Sequence, residues 1–592
     1  MSSVESLSDK MMETDVLVVG SEGAGSTAVL EAIKQGVSVT VVTKGSNIGR
    51  SGATVTGDAD LDVDSRSLHE RFGLKGTDTR DNQAVFFDDM LKGGKYLNNQ
   101  KLVEIHVEAA PDRLQDLVDW GVKIDGLLHA SGHSYPRGVV IPGTKLMPVL
   151  RRTVLSTNVN LVPYTMITEL LTNRGRVVGA VGINGATGEF VVFKAKAVIL
   201  CTGGAMRMYP YTTAPEELTG DGSAMAFRAG AELVDMEFPM FLPGVFPWPP
   251  AVKGVDIPFL LSTGGFVAGW MLNKNGDRFM RHWDPINLEW TTRDICSVAM
   301  MTEILADRGG PHGGVYVSLK HLPDDVIDHL EDWMPSEFYM HYGGFNMREY
   351  LPDLKRESIE SVPASHFFNG GIRINEQCAT SLPGLFAAGE VTGGVHGANR
   401  LSGNAFTEMV VWGHRSGRFA AEYAKQSPDV SIDGEQLREM RGKTFAPLER
   451  KKGVSQAQIR KRMQQVAWEK AGVLRDGDGL EQALAEFVRI REEELPQVSV
   501  RSKDRVFNRE WARTLELENM LLIMEMVCRT SIKRTESRGA LYRRDYPDTD
   551  NINWLKNQIV SNRDGEISVR SEPIVVTRAE PPKKVLKYGK TE

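Results

Sequence analysis

The chain of 592 residues is poor in cysteine, with only Cys201, Cys296, Cys378 and Cys528, each isolated. No CxxC, CxxCH or ferredoxin-type spacing occurs, which excludes an iron–sulfur cluster or covalent haem held by this chain alone. Scattered thiols of this kind fit a reducing compartment and read as small buried hydrophobes. No uninterrupted apolar stretch is long enough to span a bilayer. The opening residues MSSVESLSDKMMET lack an apolar signal core and a twin arginine, so export is not expected. The sequence therefore predicts a cytoplasmic protein, attached to a membrane only through a partner. Long basic runs are also missing, and the net charge of −7 argues against a nucleic-acid surface.

Neither an internal repeat nor a low-complexity tract is present. Hydrophobic residues at 41% and charged residues at 25% describe an ordinary globular protein, long enough for about two to four domains with ample core. The most informative segment is residues 15–44, DVLVVGSEGAG followed by STAVLEAIKQGVSVTVVTK. It reads as an apolar strand, a glycine turn, an amphipathic helix and a second apolar strand. Such a unit holds the pyrophosphate of a dinucleotide, FAD or NAD, on a helix N-terminus. Gly20 and Gly25 fill the outer glycine positions, with Ser21 between strand and turn. Glu22 stands where a glycine normally lets backbone approach phosphate, and Gly23 beside it is positioned to take that role. The acidic ribose acceptor expected about 20 residues on is replaced by Thr43 and Lys44.

Further along, residues 177–204 predict a β-meander, then a separate strand AVILC and another glycine turn, Thr202-Gly203-Gly204. Residues 238–250, FPMFLPGVFPWPP, open an aromatic and proline-rich region with short helices. The α/β pattern returns at 366–425, residues 433–535 are helical by period and charge, and the last 35 or so are polar and irregular. An α/β nucleotide domain that is interrupted and then resumes is how cap domains are built. The expected division is 1–233 and 359–430 for the nucleotide domain, 234–358 for the cap, 431–545 for a helical domain and 546–592 for a tail.

Several motifs stand in a fixed order: KGSNIGRSGAT (44–54), CTGG (201–204), TGDG (219–222), NKNGDRFM (273–280), TTRD (291–294) and HFFNGGIRIN (366–375). LPGLFAAGEVTGGVHGANRLSGNAF (382–406), WEKAGVLRDGDGLEQAL (468–484) and SRGALYRRDYPDTDNINWLK (537–556) follow. Together they resemble the flavoprotein subunits of succinate dehydrogenase and fumarate reductase, a family that includes L-aspartate oxidase and the adenylylsulfate reductase α subunit. The resemblance covers nearly the whole chain. It implies an α/β fold: a Rossmann-type FAD domain, an inserted α+β capping domain and a C-terminal helical domain. It implies FAD contacts at the 20–25 and 202–204 turns and at Thr43, Lys44, Ser51, Gly52 and Thr54. Asp221 and Glu390 would sit just beyond strands and accept from ribose or ribityl hydroxyls. Arg400, Ser402, Asn404 and Ala405 would meet the flavin, Ser402–Phe406 along its pyrimidine edge.

Two departures from the family pattern matter. Members that bond FAD covalently use a histidine in RSHT, where this chain reads Arg50-Ser51-Gly52-Ala53-Thr54. FAD is therefore expected to be non-covalent, which suits reductase or oxidase chemistry better than succinate oxidation. The second departure lies in the dicarboxylate clamp. His366 and Arg400 match one carboxylate cluster and Arg293 matches the proton-transferring arginine. The other cluster, FHPTG with TEAxRGEG, has become Phe241-Leu242-Pro243 and Leu261-Ser262-Thr263-Gly264-Gly265-Phe266-Val267. Its histidine, glutamate and relay arginine are gone, so delivery of the proton to Arg293 falls to water or another residue.

A charge-assisted contact contributes roughly 1.5–3 kcal/mol, and a buried unpaired carboxylate costs more. Leu242 and Phe266 near a second carboxylate would therefore disfavour succinate or fumarate. The expected chemistry is hydride transfer at a C–C bond beside one carboxylate or carbonyl, with Arg293, His366 and Arg400 catalytic. Plainer roles compete: an Arg293–Asp294 salt bridge and a core position for His366. His396 reads as structural, and Arg281 and His282 as surface residues. Electrons would pass to oxygen, to a soluble carrier or to an iron–sulfur partner subunit, the last being favoured. Two alternatives stay open at this point: an adenylylsulfate-reductase-like activity, and a non-catalytic electron-transfer subunit.

Overall fold

The structure is a computed structural model, and it describes residues 7–57, 60–257, 269–333, 341–342 and 345–590. Its centre is a sheet in which Asn160–Val162, Val39–Val42, Lys10–Val19 and Phe190–Leu200 run side by side in parallel. Leu385–Ala387 also pairs in parallel with Phe190–Leu200. Val16, Leu17 and Val18 are fully buried, as a parallel strand covered on both faces must be, and this is why the segment is uninterruptedly apolar. The helix Gly23–Lys34 crosses from the first strand to Val39–Val42. The turn between them requires glycine: Gly20 has φ +103°, and a Cβ there would lie 2.1 Å from the Cys201 carbonyl oxygen. A Cβ at Gly25 would fall 2.0 Å from the carbonyl oxygen of Gly20.

The meander differs in one respect from expectation. FVVFKAKAVIL forms one continuous strand, Phe190–Leu200, not a meander strand followed by a separate AVILC. It pairs antiparallel with Arg176–Asn184 over its first half and parallel with Lys10–Val19 along its length. One strand serves both pairings because Arg176–Asn184 lies on the edge opposite Lys10–Val19, and Leu385–Ala387 pairs with its C-terminal end, Val198–Leu200.

A four-stranded sheet lies above the nucleotide domain, in the order Pro239–Val245, Ile359–Phe368, Val315–Ser318, Trp270–Leu272. The helix Arg293–Leu305 packs against it, around a second core that includes Phe246, Met271, Ile295, Ala299, Val317 and Ile359. Helices Gly434–Glu449, Gln456–Ala471, Gly477–Arg489 and Arg509–Lys533 follow. Asp433, Asp476 and Asn508 cap three of them by accepting from the first-turn N–H groups, as N-cap residues do.

The C-terminal stretch is not irregular. Lys556–Arg563 and Glu566–Pro573 form an eight-pair hairpin that extends a sheet through Leu233–Val234 to Gly371–Arg373 and Thr392–Gly393. Its outer strand is half-buried along its interior, and its period-two signal is confined to Ile567 and Val569 between polar residues. Among the described residues no helix is long and apolar enough to cross a membrane.

Candidate active site and dinucleotide cleft

A cavity runs from the first glycine turn, across the ends of the parallel strands, to the underside of the four-stranded sheet. Of the residues expected from sequence, Gly20, Ser21, Glu22, Thr43, Lys44, Ser51, Gly52, Thr54, Thr202, Gly203, Asp221, Glu390, Ser402 and Ala405 line it. So do Arg293, His366 and Arg400. Gly23, Gly25, Gly204 and Asn404 are not in the wall. The three glycines instead permit close packing: a Cβ would meet Met409 Sδ, the Gly20 carbonyl and Glu390 Oε1 respectively, each at 2.2 Å or less. Asn404 turns its side-chain carbonyl to His106 Nε2, 3.2 Å away.

Asp221 opens the helix Asp221–Ala229 rather than following a strand. Its Oδ1 accepts from Thr219 Oγ1 and Asn519 Nδ2, and its Oδ2 pairs with Lys44 Nζ at 2.5 Å. Lys44 also pairs with Glu516 at 2.8 Å, and these carboxylates raise its pKa against the opposing effect of burial. The charge of Lys44 is thus met from within the chain. Glu390 follows the strand Leu385–Ala387 as expected, accepts from the Phe368 N–H at 3.1 Å, and is pushed by burial to a pKa of about 7.

The catalytic candidates converge on the cap side. Between Met240 and Phe241 the pairing with Phe367 and Ser365 skips His366, which is therefore the extra residue of a β-bulge. Bulges re-aim side chains beside active sites. Its Nδ1 lies 2.8 Å from Thr213 Oγ1, and burial followed by Arg293 and Arg400 holds the imidazole well below its usual pKa, hence neutral. Arg400 is buried, places its guanidinium 4.6 Å over the Phe367 ring and donates to the Leu401 carbonyl. Burial and the neighbouring Arg293 lower its pKa to about 10. Arg293 begins the helix Arg293–Leu305, and its Nη2 donates to Ser402 Oγ at 3.1 Å. It does not pair with Asp294, whose carboxylate accepts from Asn399 and lies 4.0 Å from Lys95. His396 sits 3.0 Å from Glu408, buried, and Arg281 and His282 are exposed.

Sequence reasoning missed Asp60. It lines the cavity and accepts from Ser402 Oγ at 3.3 Å, and burial raises its pKa. Asp62, two residues along the same short strand, has a carboxyl raised well above its usual value by burial and then by Asp60. His133 Nε2 lies 3.3 Å from Asp62 and 3.0 Å from the Ser402 carbonyl. The alternation in Asp60-Leu61-Asp62-Val63-Asp64 was the available signal. The wall also holds Leu242, Pro243 and a further unforeseen residue, Asp256. A β-bridge to Val245 holds Asp256 beside the Leu242 strand. Phe266 and the rest of 261–267 lie outside the described residues.

The cavity suits a dinucleotide on its own evidence. Buried Ser21 Oγ, Glu22 Oε2 and Thr202 Oγ1 have no hydrogen-bond partner within the protein, and all three residues lie on the wall near the N-terminus of Gly23–Lys34. A group rich in acceptors and hydroxyls, such as a diphosphate with its sugar, would satisfy them.

Comparison with known proteins gives the class. Residues 15–406 match the FAD binding domain family, and residues 460–587 match the fumarate reductase flavoprotein C-terminal family. The chain is thus an FAD-dependent oxidoreductase with FAD as its cofactor. It belongs to the fumarate reductase and succinate dehydrogenase flavoprotein family. It is 35% identical to a fumarate reductase (CoM/CoB) subunit from Methanothermobacter marburgensis, over 94% of this chain and 98% of that one. It is 32% identical to the fumarate reductase flavoprotein subunit of Mycobacterium tuberculosis, over 97% and 99%. Among solved structures, a quinol fumarate reductase of E. coli superposes with a TM-score of 0.84 at 26% identity, over 97% and 99% of the two chains.

Proposed function

We propose that this enzyme transfers hydride at a carbon–carbon bond next to a single carboxylate or carbonyl, on a substrate whose far end is apolar or uncharged. The observation that carries this reading is the make-up of the cavity wall: it holds Arg293, His366 and Arg400, while the strand paired beside His366 presents Leu242 and Pro243 to the same space. Among the described residues, a second substrate carboxylate beside Leu242 would be desolvated against an apolar side chain.

Bound FAD supplies the hydride donor or acceptor. The neutral imidazole of His366 and the cation of Arg400 hold the carboxylate or carbonyl and favour the negative charge that grows on it in the transition state. Arg293 gives the proton to, or takes it from, the adjacent carbon. An arginine acid requires a strongly basic acceptor, which a carbanion-like carbon provides. Ser402 Oγ, in contact with both Arg293 Nη2 and Asp60 Oδ1, gives the guanidine a route to a new proton after each delivery. Asp60 carries that proton because its raised pKa keeps it protonated more readily than an exposed carboxyl.

FAD is held non-covalently, since Gly52 offers no imidazole where covalent relatives place histidine. Electrons pass through an iron–sulfur partner subunit in the cytoplasm. The deciding experiment is oxidation of reduced methyl viologen by crotonate, fumarate or no acceptor, with a separate arm containing sulfite and AMP plus an acceptor dye. Crotonate-dependent oxidation supports the reading; sulfite-dependent dye reduction replaces it with adenylylsulfate-reductase-like chemistry.

A further inference from the structure

Glu22 is the residue of the phosphate turn that the function above leaves unexplained. It is the N-cap of the helix Gly23–Lys34, yet its side chain makes no capping hydrogen bond. It reaches instead to the 51–55 loop, where Oε1 accepts from the Ser51 N–H at 3.3 Å, and the Val55 N–H also donates to the carboxylate. Gly52 packs over the stem: a Cβ there would lie 2.7 Å from Glu22 Cγ, so the side chain is clamped in one place. Oε2 is buried, has no hydrogen-bond partner and belongs to a residue of the cavity wall. A diphosphate placed on this helix N-terminus brings negative charge to a carboxylate that cannot swing away.

We propose that Glu22 holds the FAD diphosphate as a neutral carboxylic acid, donating its Oε2 proton to a phosphate oxygen, so that FAD is bound less tightly once Glu22 ionises. Neutrality agrees with the surroundings. Burial raises its pKa to about 8, and the charge acting on it is another carboxylate, Glu217. The Ser51 and Val55 N–H groups of the 51–55 loop favour the ionised form, and burial outweighs them; the helix Asn404–Gln426 brings Met409 to the adjoining Gly23. Lys44, on the same wall, is committed to Asp221 and Glu516. The sign follows: a carboxyl of raised pKa is neutral below that value, so the donated hydrogen bond is present at neutral pH and is lost as pH rises through about 8.

The test is FAD affinity of the deflavinated full-length protein, followed by quenching of FAD fluorescence from pH 7 to 9.5. Wild-type affinity should fall by about tenfold or more across this range, approaching a tenfold loss per pH unit above the ionisation. Glu22→Gln, which keeps a donor that cannot ionise, should bind FAD with an affinity constant to within about twofold over the same range. Titration calorimetry of the wild type at pH 8.5, in buffers of different ionisation enthalpy, supplies a measure that needs no variant. FAD binding should be accompanied by net proton uptake. A wild-type affinity independent of pH, an absence of proton uptake, or a Glu22→Gln slope equal to the wild type would each overturn the proposal. None of these outcomes depends on the substrate.

Discussion

Ser402 Oγ donates to Asp60 Oδ1 at 3.3 Å and lies 3.1 Å from the Arg293 nitrogen that donates to it. One hydroxyl thus joins a buried acid to the arginine proposed as the proton donor. If Asp60 reloads Arg293, Asp60→Asn should lower kcat by about 10- to 100-fold with KM nearly unchanged, within the range of general acid–base effects. The solvent isotope effect should rise as proton delivery becomes limiting. The same acid sets a pH limb. Because burial raises the Asp60 pKa, the stored proton is present below that raised value and lost as pH rises through it, so the fall in kcat on that limb should flatten in the asparagine variant.

Removing the guanidinium itself should be more damaging. Arg293→Ala is expected to reduce turnover by about 10²- to 10⁴-fold while the flavin absorbance of the purified protein stays at one FAD per chain. Unchanged electron throughput in that variant would assign Arg293 a structural role.

Leu242 faces the cavity from a strand whose partner carries His366 two positions beyond its own neighbour, Ala364. Placing a donor there restores part of a dicarboxylate clamp. Leu242→His should lower KM for fumarate by about tenfold, the equivalent of one charge-assisted hydrogen bond, with little change for crotonate. Steady-state kinetics on the two acceptors measure the difference.

Much of this was readable from the residues, and the misses have physical reasons. The first strand, its turn and its helix were legible because a fully buried parallel strand must be apolar and the turn must be glycine. His366, Arg293 and Arg400 were legible through motif order. That His366 is the unpaired residue of a bulge was not, since a bulge depends on register against Pro239–Val245. Asp60 was hidden because acids alternating with apolar residues, Asp60-Leu61-Asp62-Val63-Asp64, read as a strand with its acids in solvent, whereas here the acids are buried as well. The C-terminal hairpin was missed because its outer strand alternates Glu566, Ser568, Arg570 and Glu572 with only two apolar residues, Ile567 and Val569, too short a pattern to stand out in a polar stretch.

That hairpin is fastened by a buried charge network. Arg534 is fully buried, pairs with Glu237 at 2.7 Å and Glu536 at 2.9 Å, and donates to the Trp554 and Lys556 carbonyls. Removing one partner of such a network strands the others, typically at about 3–5 kcal/mol. Arg534→Ala should therefore lower the melting temperature markedly and expose 556–573 to proteolysis before the rest of the chain. Protection of this segment equal to the wild type would show that it is fastened by other contacts.

The proposal of a single carboxylate or carbonyl on the substrate is tested most directly by comparing kcat/KM for crotonate and fumarate in the FAD-loaded enzyme with reduced methyl viologen. A single charged anchor requires crotonate, whose far end is a methyl group, to be the better acceptor by at least about tenfold, the order of one desolvated carboxylate left unpaired. Fumarate turning over as well as crotonate or better would contradict it.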